Sequence, residues 1–214
     1  MLLTFAPAYA QNAAAVLKQL DKSASDFKSV IADLKRTEYT KAIDDKMAES
    51  GKLSLLKIKK DDLRILFEIS VPSVSTALFS GSTLEIFKPK LNMVEVYNLG
   101  KNKDLVRQVL QLGFGVSGTD LSKNYIVSYA GEEIIGGQKT SKLELVPKSA
   151  EAKKNVSKVE MNFSDKGYSL RTKVIEPNGN YHLAEYSNIK WNAPVTDADI
   201  GLKAPKTAER KKMG

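Results

Sequence analysis

Among its 214 residues the chain has no cysteine, one histidine and one tryptophan. Without cysteine there is no disulfide framework, no thiolate nucleophile and no sulfur-ligated metal centre. Nor does this sequence offer the cysteine that a bacterial lipoprotein carries its acyl groups on. One imidazole, His182, leaves little for histidine-based metal or triad chemistry; between Tyr181 and Leu183 it reads as an exposed strand residue. No run of 18 apolar residues occurs, so no transmembrane helix is expected. A Gly-x-Ser-x-Gly nucleophile elbow is missing as well. The carboxylate pairs Asp44/Asp45, Asp61/Asp62 and Glu132/Glu133 lie in or beside turns and lack the odd-position spacing of a calcium loop. Neither metal nor cofactor is expected, and the composition points away from an enzyme.

What is present suits one folded domain. The chain is 42% apolar, enough for a real core. Its formal charge is +8, of which the segment from Lys203 to Gly214 supplies +4. That segment reads as a basic flexible tail, and the remaining body is only mildly basic. Positive charge neither concentrated on the body nor interleaved with aromatics is no nucleic-acid footprint. At the other end, Leu2, Leu3 and Phe5 precede Ala8-Tyr9-Ala10, a small-x-small pattern. Residues 1–10 read as the end of a secretory signal cut before Gln11. The folded domain is then expected over residues 11–202.

Along that body, Ala13, Val16, Leu17, Leu20 and Ala24 make one apolar helical stripe. Residues 26–40 are ambiguous, turning strand-like at Thr37, Tyr39 and Thr40. Short strands and turns follow. Lys52 to Lys59, Leu63 to Ile69, Leu84 to Phe87, Met93 to Leu99 and Tyr125 to Tyr129 are strand-like, and so are the alternating runs at Leu143/Leu145 and Val159/Met161/Phe163. Tyr168 to Glu176 and Tyr181 to Tyr186 straddle Pro177-Asn178-Gly179-Asn180, a hairpin signal. Ile189 to Trp191 and Ile200 to Leu202 close the series, with Trp191 as core or rim. One further helix is expected from Asn102 to Leu112, carrying Leu105, Val109 and Leu112. Gly113-Phe114-Gly115-Val116-Ser117-Gly118 is a literal G-x-G-x-x-G, but it follows a helix and precedes a strand. A dinucleotide site needs the reverse order, so the run reads as a loop with Gly113 as a C-cap.

The pattern is mainly β: about ten to eleven strands in one antiparallel sheet, with two amphipathic helices. A sheet with one apolar face must cover it. Two helices are little material for that, so the sheet curls or leaves part of the face available. A curved sheet with helices across its mouth would enclose an apolar cavity.

The ordered series Ser50-Gly51-Lys52-Leu53, Leu63-Arg64-Ile65-Leu66-Phe67, Val71-Pro72 and Gly81-Ser82-Thr83-Leu84-Glu85-Ile86-Phe87-Lys88-Pro89-Lys90 resembles the periplasmic lipoprotein-carrier (LolA-like) family. So do Lys142 to Lys148, Glu176-Pro177-Asn178-Gly179 and Tyr186 to Ile189. The resemblance covers nearly all of the chain after Ala10. It implies an unclosed β-barrel whose concave apolar face takes the acyl chains of lipoproteins or similar lipids, with helices as a lid. It further implies a monomer in the periplasm, loaded from an inner-membrane transporter and unloaded to an outer-membrane acceptor. Family members carry an Arg before a proline on the second strand, which bonds to the lid. Here Lys57-Ile58-Lys59-Lys60-Asp61-Asp62 stands there, so Lys59 or Lys60 would have to supply that charge without the planar fork of Arg.

The expected acyl lining is the apolar side of three alternating stretches: Leu63, Ile65, Phe67 and Ile69; Leu143 and Leu145; Val159, Met161 and Phe163. Each could equally pack as ordinary core under the helices. The expected lid comprises Leu105, Val109 and Leu112 with Lys59 and Lys60. A sensing module built on the same sheet, reading a lipid or an envelope protein as a signal, is the alternative.

Overall fold

The computed structural model describes residues 6–59, 62–100 and 112–213. Within them the helical segments are α1 (Ala6–Asp26), α2 (Gly118–Asn124) and the single turn α3 (Ala150–Lys153). The strands are β1 (Ser29–Thr40), β2 (Asp45–Lys59), β3 (Asp62–Val71), β4 (Ser75–Ser80), β5 (Thr83–Lys88) and β6 (Met93–Asn98) in the first half. The second half supplies β7 (Tyr125–Ile135), β8 (Gln138–Pro147), β9 (Lys158–Phe163), β10 (Ser169–Ile175), β11 (Tyr181–Trp191) and β12 (Glu209–Met213). All twelve belong to one sheet, in the order β12-β6-β5-β4-β3-β2-β1-β11-β10-β9-β8-β7. Its two terminal strands each have one neighbour, so the sheet is unclosed. The fold is mainly β, as the sequence pattern implies.

Two strands are not legible from the sequence pattern. β4 reads Ser-Thr-Ala-Leu-Phe-Ser, with adjacent Leu78 and Phe79 and hydroxyl residues at both ends, so period-two alternation is lost. The other is β12, in the segment expected to be a flexible tail. Glu209 to Met213 run parallel to β6, from Glu209 opposite Met93 to Met213 opposite Tyr97. The Asn92 side chain donates to the Thr207 carbonyl (3.0 Å), and the Glu209 amide donates to the Asn92 carbonyl (2.9 Å). Charge density signals solvation correctly but not disorder: an edge strand needs only its backbone groups, and exposed lysines are how edges are kept from pairing further.

The chain divides into two compact units. The first comprises the described parts of Met1–Asp26, Arg36–Met47 and Gln111–Tyr186; the second comprises those of Phe27–Lys35, Ala48–Leu110 and Ser187–Gly214.

In the first unit, α1 packs on β7 and α2 through the stripe containing Ala13 and Leu20, both buried. The Ser117 hydroxyl caps α2 by accepting from the Asp120 amide (2.9 Å). Gly118 then lies so close to α1 that a Cβ there would sit 2.1 Å from the Leu17 carbonyl oxygen. A Cβ on Gly113 would fall 3.0 Å from the Tyr186 hydroxyl. These glycines of the G-x-G-x-x-G run serve close packing, in keeping with the reversed order of its flanking elements.

In the second unit, β2 to β6 form an antiparallel meander. A register shift at Ser50/Gly51 brings the backbones of β2 and β3 together, leaving no room for a side chain at Gly51. The β5–β6 hairpin closes through a 3-10 turn, Pro89–Leu91, that ends in left-handed Asn92 (φ 46°). Elsewhere in this unit Asn192 accepts from the Lys28 amide (2.8 Å) and Arg64 pairs with Asp197 (2.7 Å); Ile200 is buried, but Ile200 to Leu202, expected as a strand, lies outside the sheet.

Candidate functional site

The expected lining residues fall into two groups, one in each unit. In the first unit the pleat places Leu143 opposite Met161 and Leu145 opposite Val159 across β8 and β9. Tyr129 and Val127 of β7 continue the same rows on one side, and Val174 of β10 stands opposite Val159 on the other. Every second residue shares a face, so these side chains form one apolar surface. Over it lie Leu20 of α1, Leu121 of α2 and Leu112. These three, with Leu143, Leu145, Val159, Met161 and Phe163, make a single cluster of eight residues, none more than 3% exposed, against which the partly buried Val127, Tyr129 and Val174 pack. All five expected lining residues of this unit are therefore together, and they are packed against helices.

Leu112, expected as lid, is buried in this cluster. Leu105, Val109 and Lys60 lie outside the described residues. Lys59 is exposed at the end of β2, opposite Asp62. The covering helices among the described residues are α1, one of the two amphipathic helices that the sequence pattern sets across the sheet, and α2, which it does not foresee. Their signals are nonetheless present: the Val16-Leu17-Leu20 stripe for α1, and Ser117-x-x-Asp120 as a capping sequence for α2.

The cluster is reachable from one side. A cleft of about 210 Å³ is lined by Ala15, Val16 and Leu20 of α1 and by Phe163, with Gln19, Ser141, Ser164, Gly167 and the carboxylate residue Asp165 completing it. It is smaller than the roughly 300–1,000 Å³ typical of a pocket that encloses a small molecule. Beside it the hydroxyls of Ser23 and Ser164 are buried without a hydrogen-bond partner among the described residues. Left unpaired, groups of that kind cost about 1–3 kcal/mol each.

In the second unit β3 carries Leu63, Ile65, Phe67 and Ile69 on one face. Ile65 stands between Leu55 of β2 and Phe79 of β4, and Phe67 between Leu53 and Ala77. Leu63, Ile65 and Ile69 are buried; Phe67, beside the small Ala77, is only half-buried. Leu66, which breaks the polar alternation in the sequence, is buried on the other face, across from Leu78.

The opposite side of the first unit's sheet bears a charged ladder. Lys142 reaches Glu133 (2.9 Å) and Glu160 (3.4 Å), and Lys158 reaches Glu160 (2.8 Å) and Glu144 (3.0 Å). The hydrogen bond from Lys142 holds the Glu133 carboxyl below its ordinary range. Burial works to raise Glu160, but Lys158 and Lys142 outweigh it and hold it low. Both lysines are held above their usual value by these carboxylates. Tyr186, edge-on to Phe114 at 4.8 Å, is pushed up to about 12 by burial. His182 sits in a shell of Glu176 (3.0 Å) and Glu38 (3.6 Å), exposed as expected. Among the described residues no acidic or histidine cluster is grouped to hold a metal.

Residues 27–199 match the family described as Outer membrane lipoprotein carrier protein LolA. The chain belongs to this family. No curated protein matches the sequence. Among solved structures, an uncharacterized conserved protein from Thermus thermophilus superposes with a TM-score of 0.56 at 12% identity, over 95% of this chain and 100% of that one. LprF from Mycobacterium bovis gives 0.52 at 13% identity, over 92% and 99%. MucB gives 0.56 at 12% identity, over 91% of this chain and 64% of that one. At such identities these likenesses establish the shared fold. No helix among the described residues is long and apolar enough to cross a membrane.

Proposed function

We propose that the protein is a periplasmic carrier that shields the acyl chains of lipoproteins, or of similar lipids, and moves them toward the outer membrane. Membership of the lipoprotein-carrier family supports this reading. The observation that carries it further is the eight-residue apolar cluster under α1, with its cleft at Val16, Leu20 and Phe163. In the closed arrangement the sheet's apolar face is occupied by the protein's own side chains. Cargo enters by displacing α1, which makes α1 the lid in this unit. Each buried methylene contributes about 0.8 kcal/mol. A chain of roughly fifteen therefore gains on the order of 12 kcal/mol before ordering costs, enough to replace the contacts of one helix face.

No covalent step is involved, and neither cofactor nor nucleic acid enters the scheme. The protein acts as a monomer that takes cargo from an inner-membrane transporter and yields it to an outer-membrane acceptor. Cleavage before Gln11 would leave α1 its Ala13, Val16, Leu17 and Leu20 stripe intact.

The test is to purify the protein from its native envelope and identify what co-purifies by mass spectrometry. Acylated protein is the expected result. Free lipid, or a tight protein partner without acyl cargo, would replace the carrier by a sensing module on the same fold.

A further inference from the structure

Consecutive strands of an antiparallel meander turn at alternating ends, so the β3–β4 and β5–β6 hairpins of the second unit turn at the same end. Two strand spacings, about 10 Å, separate them. At that end Val71 and Val74 are exposed on either side of Pro72, and Leu91 is 64% exposed at the tip of its 3-10 turn. Single exposed aliphatics are ordinary on a protein surface; three on neighbouring turns make a patch. On the β5, β6 and β12 side Lys88, Lys90, Lys206, Arg210, Lys211 and Lys212 face Glu85, Glu95 and Glu209; on the Val71 side Glu49 adds one negative charge and Lys52 stands opposite Glu68, which leaves a surplus of two positive charges. Lys88 is tied to Glu95 (2.6 Å) and Arg210 to Glu85. The turn before β12, held to Asn92 by the Thr207 carbonyl, sets Lys206 beside Leu91's hairpin.

We propose that this end of the second unit docks on a bilayer with anionic headgroups, Leu91 and Val74 entering the interface while the lysines meet phosphates. The side chains call for two phases at once: aliphatic tips gain by leaving water, and the surrounding ammonium groups gain by staying at a negative surface. A bilayer surface supplies both within a few ångströms, and basic residues near it add about 1 kcal/mol each. This surface stands apart from the acyl-binding reading and does not depend on it.

The molecule contains its own control. The β1–β2 hairpin of the first unit closes through a turn of the same build, Lys41–Ile43, ending in left-handed Asp44 (φ 49°) with Ile43 71% exposed. There Lys41 and Lys46 are balanced by Asp44 and Asp45, so the aliphatic tip is present without the charge surplus.

The experiment is co-sedimentation of the full chain with vesicles of phosphatidylcholine alone and of an equal mixture with phosphatidylglycerol. Binding to the mixture, weakened by salt, and little binding to pure phosphatidylcholine are expected. Leu91→Asp and the pair Lys90→Glu with Lys206→Glu should each weaken binding about tenfold or more. Ile43→Asp should leave it within about twofold. All these positions are at the surface, and thermal melting checks that each variant is folded. No binding to the mixture, equal binding to both vesicles, or Leu91→Asp behaving like Ile43→Asp would overturn the proposal. So would capture by an acidic protein surface in place of lipid.

Discussion

The two units treat the same strand pattern differently. In the first, the alternating residues of β8 and β9 lie beneath α1 and α2 in a packed cluster. In the second, β3 presents an equally regular row, yet the described part of that unit contains no α-helix and Phe67 stays half-buried. The difference teaches that alternation specifies which face of a strand is apolar; what covers it is decided by other parts of the chain. It also separates two roles that the sequence pattern merges into one lining set. On the proposed reading, the buried group of the first unit meets cargo only once α1 moves, whereas Phe67 is half-buried as it stands.

The sharpest way to break this contrast is Phe67→Glu. A carboxylate in a half-buried position can reach water, so the sheet should persist by far-ultraviolet circular dichroism. If β3 lines the acyl site as well as the cluster under α1, binding of an acylated ligand should be abolished, because the charge would have to be buried beside the chain. Unchanged uptake would move the site away from β3 altogether.

Leu143→Ala should show the opposite profile. The residue is fully buried between Met161 and Tyr129. Removing its branched end leaves a cavity costing about 2–5 kcal/mol, read as a lower urea midpoint with unchanged slope. A loss well under 1 kcal/mol would mean that the cluster is loosely packed and that its covering is easily moved.

Gly118→Ala probes the lid directly. A Cβ there meets the Leu17 backbone, which cannot rotate aside, so α1 or α2 must shift. Overpacking of this kind costs roughly 1–3 kcal/mol. If α1 is the moving element, the variant should also bind acylated ligand faster, because part of the closed contact is already lost. Destabilisation without any change in association rate would make α1 a fixed part of the core.

Most of the fold is legible because its strands alternate cleanly: β8 and β9 read as strands from Leu143, Leu145, Val159, Met161 and Phe163 alone. β4 is not, since adjacent Leu78 and Phe79 carry no period. β12 is hidden because Arg210, Lys211 and Lys212 look like a solvated tail, and only its pairing with β6 shows otherwise. The candidate site is half legible. Sequence marks Leu145 and Phe67 as equivalent, and nothing local distinguishes a residue beneath a helix from one beside Ala77. That distinction depends on contacts between residues over a hundred positions apart, such as Gly118 with Leu17.

The smallest expected effect concerns the charged ladder behind the first unit's cluster, and it has a defined pH signature. Lys142 and Glu160 are 19% and 20% exposed, so their pairing is less screened than an ordinary surface ion pair. Glu133 and Glu160 are held low in the folded chain, so the stability they contribute is present above the ordinary glutamate value of about 4.3. It is lost as pH falls through their depressed folded values. Lys142 and Lys158 are held high, so their share is present below the ordinary lysine value of about 10.4 and is lost as pH rises through the folded values. Lys142→Met removes the shared cation while keeping the stem. It should cost about 1 kcal/mol at neutral pH by urea denaturation. The deficit should shrink once Glu133 and Glu160 are protonated, because a neutral carboxyl no longer needs the ammonium. A deficit that stays constant from neutral pH into acid would assign Lys142 to packing, leaving the ladder with no electrostatic part in holding β7, β8 and β9 together.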